Sequence, residues 1–163
     1  MSVKGERELV AYFNALPTKL QKGAGRAMVT AAAKVIRTEA RHLVPKDTGK
    51  LAKAIRSSSS KVNKDGTVSI RVFVDRKKPH GWLGPMVEHG IAPHDITITP
   101  GKVAQLGDEF VSGTISHPGV AKRPFLRPAF DTTQDEAVKA MQAKLQQYLK
   151  GKTGITIPLE DDE

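Results

Sequence analysis

Four of the five histidines, His80, His89, His94 and His117, fall in the middle of the chain, with Glu88 and Asp95 adjacent to them. Imidazoles and carboxylates are zinc ligands, so this stretch is the densest collection of groups with chemistry to offer. Its spacing matches no recognised ligand pattern, and the bland alternative is a set of turn and strand-end histidines that bond backbone. Other routes to chemistry close in turn. Cysteine is absent, which removes a thiolate nucleophile, a disulfide framework and thiolate-built metal sites. Gly23-x-Gly25 has no third glycine at dinucleotide spacing, and neither a Gly-Lys-Ser/Thr phosphate loop nor a Gly-x-Ser-x-Gly elbow occurs. The sequence reads as non-enzymatic, with no catalytic residue, metal ligand or cofactor site assigned.

Charge gives the first positive signal. Residues 1 to 61 hold 13 Lys+Arg against four acids, a net +9, whereas the remaining residues balance at 13 against 13. The final four positions, Glu160, Asp161, Asp162 and Glu163, are all acidic. A body this basic attracts polyanions or acidic protein surfaces, nucleic acid among them, although lysines also serve solubility alone. Aromatic residues are only 5% and do not interleave with the basic ones, so any nucleic-acid contact is expected at phosphates.

The elements that must carry these groups follow from periodicity. A length of 163 residues predicts one domain, expected over residues 1–151 with an extended acidic tail over 152–163. No run approaches the roughly 18 apolar residues of a spanning helix. Met1 to Gly5 lacks an apolar signal core, so the chain is expected to work where it is made. Leu9, Phe13 and Leu16 predict a short helix stopped at Pro17, and apolar spacing from Leu20 to Val44 predicts a long one ended by Pro45. Asp47 is placed to cap a short helix bearing Leu51, Ala54 and Ile55.

Alternation over Val68, Ile70, Val72 and Val74 predicts a strand. Others are expected around Trp82 to Val87, at Ile96 to Thr99 and at Val111 to Ser116, with a turn of helix at Val103 to Leu106. A final helix from Phe130 has Pro128 in its first turn and Gly151 as its stop.

The ordered set Pro45-Lys46-Asp47-Thr48-Gly49-Lys50-Leu51-Ala52, Met86-Val87-Glu88-His89-Gly90, His117-Pro118-Gly119 and Arg123-Pro124-Phe125-Leu126-Arg127-Pro128-Ala129-Phe130 resembles the neck or tail-completion proteins of long-tailed bacteriophages. It covers about residues 28 to 148. Asp-Thr-Gly also marks aspartic proteases, but a second such motif, apolar flanking strands and the length are lacking. Gly81-Trp82-Leu83-Gly84-Pro85 departs from the family pattern, where a Tyr-Ala type strand is frequent, and the acidic tail lies outside it.

Physically, the motif residues read as structural. Asp47 and Gly49 allow a tight turn, and Gly90 permits a backbone closed to side chains. Pro124 and Pro128 stiffen the approach to the last helix while Phe125 and Leu126 enter the core. Glu88 beside Val87 reads either as a buried acid partnered by Arg123 or Arg127, or as an exposed strand-end glutamate.

The resemblance implies an α+β domain: an antiparallel sheet of about four strands, with a long N-terminal and a C-terminal helix packed on one face, plus short helices. It implies a structural virion protein at the neck, assembled in the host cytoplasm as a ring, hexameric like the tail, with the tail tube and head-completion or connector proteins as partners. Candidate partner or DNA contacts are Arg76, Lys77 and Lys78 in the middle loop, and Ile155, Ile157 and Leu159 in the tail. A basic accessory protein binding DNA phosphates is the alternative reading, and no membrane partner is expected.

Overall fold

The computed structural model describes residues 6–14 and 16–153, so the tail residues Ile155, Ile157 and Leu159 lie outside the described residues. Helix α1 (Glu6–Asn14) precedes Pro17, and α2 (Thr18–Leu43) runs to Val44 and Pro45, as the apolar spacing and the two prolines predict. In α2 the alanines Ala24, Ala33 and Ala40 are at most 1% exposed and allow close packing. Helix α3 (Lys50–Ala54) follows. Its N-cap is Gly49, in the left-handed region at φ 70°, and no side chain caps the helix; Asp47 sits in the exposed loop before it.

Residues 55–74 form one bent antiparallel hairpin. Strand β1 (Ile55–Ser57) pairs with β4 (Val72–Val74), and β2 (Lys61–Val62) with β3 (Val68–Ser69). Ile55 faces Val74, but Lys61 faces Ser69, so the register slips by one between the two ladders. Ser59 and Ser60 therefore stand opposite Ile70 alone, a β-bulge that splits the single strand expected over Val68 to Val74 and bends the hairpin along α2. Val68 ends up against Gly25.

The segment expected to return as a strand near Trp82 is instead helix α4 (Leu83–His89). Leu83, Met86 and Val87 have i, i+3, i+4 spacing, and Pro85 occupies the first turn, where its missing N–H is harmless. Gly84 allows the approach: a Cβ there would lie 2.8 Å from the Val74 side chain.

Residues 91–120 then form a second long antiparallel ribbon. Strand β5 (His94–Thr97) pairs with β8 (Thr114–His117), extended by the Ile91–Val120 bridge, and β6 (Ala104–Leu106) pairs with β7 (Glu109–Val111) around a two-residue turn at Gly107-Asp108. The expected helical turn at Val103 to Leu106 is strand β6, because it completes this ladder. Among the described residues the β content is antiparallel and divided into four two-stranded ladders in place of the expected single sheet of about four strands.

The final helical stretch begins earlier than its stripe suggests, as α5 (Leu126–Thr132), with Pro128 in the first turn. It breaks at Thr133, whose buried hydroxyl donates to the Ala129 carbonyl at 2.6 Å, and restarts as α6 (Gln134–Thr153). Phe130, within α5, is 49% exposed. Gly151 does not stop α6, which continues to Thr153.

Two apolar clusters hold the body. Ala24 and Met28 of α2 pack against Leu145 and Leu149 of α6, flanked by Phe13 and Tyr148. At the other end of α2, Ala40 and Val44 meet Leu51, Ile55, Phe125 and Ala129. The fold is α+β, with the long N-terminal helix packed along the C-terminal one.

Candidate functional site

The first, second and last of the four motif segments, spread over some 80 residues of sequence, meet at the C-terminal end of α2. Leu51, from the first, and Phe125, from the last, lie in the same buried cluster. Glu88, at the end of α4, reaches the start of α5. Its Oε2 accepts hydrogen bonds from the backbone N–H groups of Phe125 (2.8 Å) and Leu126 (3.0 Å), and Oε1 accepts from that of Arg127 (3.2 Å). A helix begins with N–H groups that have no partner within it, and a carboxylate placed there satisfies them while opposing the positive end of the helix dipole.

The partners of Glu88 are therefore backbone donors rather than the side chains of Arg123 or Arg127. The Arg127 guanidinium turns instead to Asp131 one helical turn on, 3.0 Å away. Arg123 contributes its backbone N–H to the Val87 carbonyl at 2.7 Å, tying the same two segments together. Gly90 closes α4 at φ 74°, where a Cβ would lie 2.8 Å from the Val120 carbonyl and 2.9 Å from the Lys122 nitrogen. This arrangement fixes α4, α5 and the root of the 91–120 ribbon together; it has no nucleophile and no acid–base pair.

A second feature is the basic side of α2. Arg26, Lys34 and Arg37 of α2, Lys144 of α6 and the hydroxyls of Ser57 and Ser60 border a surface groove of about 580 Å³, and none of its described lining residues is acidic. Arg37 Nη1 donates to Ser57 Oγ at 3.1 Å, and its Nε is buried without a partner. Behind it, Arg41 donates to the Ile55 carbonyl through Nε at 3.2 Å and Nη2 at 2.8 Å. Burial first, then the nearby charges of Arg37 and Arg56, push the Arg41 guanidinium below its ordinary pKa. Arg76, Lys77 and Lys78 lie apart from this groove, exposed in the loop after β4, with Lys77 N–H donating to Asp75 Oδ1 at 3.1 Å.

The third feature is apolar. On the opposite side of α2, Val29, Met28, Ala137 and Met141 line an open groove of about 520 Å³ whose rim includes the half-exposed Val10 and Phe130. The outer part of the ribbon exposes Val103 (63%), Leu106 (63%) and Phe110 (70%). Sequence periodicity did not single out either surface, because its apolar spacing scores a residue's fitness for burial and does not say what covers it.

Of the four middle histidines, only two come together. His94 and His117 face each other across the β5–β8 ladder with ring centroids 5.0 Å apart. Each is tied to backbone: His94 Nδ1 lies 2.9 Å from the Ala92 carbonyl, and His117 Nδ1 accepts from Gly119 N–H at 3.0 Å. Among the described residues no group of three or more His, Cys, Asp or Glu gathers in a way that could hold a metal ion.

No curated protein and no solved structure matches the chain. A family model does: the HK97-gp10-like model, described as "Bacteriophage HK97-gp10, putative tail-component", matches residues 7–90. The matched stretch runs from α1 to the end of α4, so it includes Asp47-Thr48-Gly49 and ends on Glu88 and Gly90, the residues that hold the following segments in place. Covering just over half of the chain, this match makes the protein a member of the HK97-gp10-like family of bacteriophage tail components.

Proposed function

We propose that the protein is a structural component of the phage neck that completes the tail and joins it to the DNA-filled head as a closed ring, sixfold like the tail beneath. The observation that carries this reading is membership of a tail-component family in a chain whose motif residues are used for scaffolding. A closed ring of one chain needs two unlike complementary surfaces per copy. The chain exposes several: the basic groove on α2, the apolar groove opposite it and the outer ribbon. The protein acts by shape, within the virion and, during assembly, in the host cytoplasm.

In this reading residues 1–151 form the body and 152–163 a connecting segment. Ile155, Ile157 and Leu159 lie along a neighbouring copy, and the acids from Glu160 to Glu163 meet that neighbour's basic side. Mass measurement of the full chain in solution and imaging of intact particles test the ring. Removal of residues 152–163 is expected to abolish or weaken assembly, and unchanged assembly would reject the role given to the segment.

The basic groove and the Arg76-Lys77-Lys78 loop favour a second reading, contact with DNA phosphates. It requires binding by the isolated subunit that falls steeply with salt and ignores sequence.

A further inference from the structure

We propose that the basic groove on α2 is a docking site for a run of carboxylates, and that in the free subunit its occupant is the chain's own segment Glu160-Asp161-Asp162-Glu163, folded back along α2. The contact lies within one chain, so it goes beyond the ring reading and does not depend on it. The ring reading then makes assembly an exchange, in which the acids leave their own groove for the identical groove of a neighbour.

Charge selects the kind of occupant. Arg26, Thr30 and Lys34 recur every four residues along α2 with Ala27 and Ala31 in the adjoining row, so the cations stand beside a strip of small residues. Among the described residues none of Arg26, Lys34, Arg37 and Lys144 pairs with a carboxylate. Lys144 Nζ donates to Gln147 Oε1 at 2.6 Å, and Arg37 Nη1 to Ser57 Oγ at 3.1 Å. The Ser57 oxygen accepts that bond, which leaves its own O–H to donate. The positive charge is uncompensated nearby as well, since after burial it is Arg37 and Arg56 that hold Arg41 below its ordinary pKa. On the acidic side, residues 160–163 form the one run of more than two consecutive acids in the sequence.

Reach selects the segment. Helix α6 runs antiparallel to α2, with Tyr148 against Gly23, Leu145 and Leu149 against Ala24 and Met28, and Ala137 beside Val29. Thr153, five residues past Tyr148, therefore lies about 8 Å beyond the level of Gly23, which puts Lys34 and Arg37 about 24 Å and about 28 Å back along α2 from it. Extended chain leaving Thr153 carries residue 160 to at most about 23 Å and residue 163 to about 33 Å, an interval that contains both cations. Gly154, directly after α6, suits the reversal of direction. A tether this short holds the acids at an effective concentration of the order of millimolar, an advantage that phosphates arriving from solution lack.

Because the native chain has no cysteine, engineered thiols report on this contact alone. Full-length chain carrying Thr30→Cys, in the groove, and Leu159→Cys, just before the acids, is expected to form a disulfide within one molecule on mild oxidation. The comparison is chain carrying Lys139→Cys with Leu159→Cys, since Lys139 is exposed on α6 outside the groove lining and about 21 Å from Thr153 along the helix. The groove pair is expected to link at least about tenfold faster in dilute salt, and to lose that advantage in about 1 M salt. It should lose it equally when Glu160→Gln, Asp161→Asn, Asp162→Asn and Glu163→Gln are added, changes that leave the folded body untouched. Equal rates for the two pairs, or an advantage that survives neutralisation of the acids, would overturn the proposal. Disulfide dimers from a mixture of the single variants, in place of the link within one molecule, would overturn it too and leave the segment's role on a neighbouring copy standing. Failure of the groove pair to link, together with loss of duplex DNA binding on Lys34→Gln with Arg37→Gln, would give the groove to phosphates instead.

Discussion

Three backbone N–H groups converge on the carboxylate of Glu88, and the energetic weight of that arrangement is testable against its neighbour. Glu88→Ala leaves the three donors without this acceptor at a partly buried site, and is expected to cost about 2–3 kcal/mol. Arg127→Ala removes only the Asp131 pairing, in which the arginine is 80% exposed, and is expected to change stability by no more than about 0.5 kcal/mol. Urea unfolding of the two variants separates a backbone clamp from an ion pair: near-equal losses would contradict the clamp. The sequence exposed the need for a partner at Glu88 but not its kind. A carboxylate's neighbours in the chain do not reveal that donors 37 to 39 residues away start a helix in front of it.

At the scale of elements, legibility followed the length of the pattern. Helix α2 was readable because its 26 residues repeat the helical spacing many times between two prolines. Helix α4 was not, since seven residues containing Gly84 and Pro85 have low intrinsic helix propensity and gain their stability from tertiary packing. That packing gives a prediction. Gly84→Ala places a methyl 2.8 Å from Val74 and is expected to cost about 1–3 kcal/mol by overpacking. Val74→Ala removes two of the three obstructing atoms and leaves its Cβ, so the double variant should lose somewhat less than the two single losses added together. Strict additivity in denaturant unfolding would argue that α4 does not lean on β4. The bulge at Ser59-Ser60 was equally hidden, because a one-residue slip in register leaves the alternation within each strand intact.

For the whole molecule, the separation of charge seen in the sequence maps onto surfaces. Positive groups border the groove of Arg26, Lys34, Arg37 and Lys144, and negative ones mark the ribbon turn at Asp108 and Glu109. If the basic groove meets DNA, binding by the isolated chain should weaken by about tenfold or more between 50 and 200 mM salt, for the few phosphates such a groove spans. Titration with two unrelated duplexes checks this, and salt-insensitive or sequence-selective binding would contradict it. Fold class and family were legible in the sequence through the order of the motifs. Which surfaces remain uncovered was not, since exposure is a property of the assembled chain.

The 91–120 ribbon also has a consequence for the life of the subunit before it is used. A two-stranded ladder has no interior strand, so both of its members present outward-facing peptide groups that a third strand could satisfy, and such rims invite indiscriminate pairing. The isolated chain is therefore expected to grow sticky as its concentration rises, and an excess would be lost to precipitation instead of forming a stable reserve.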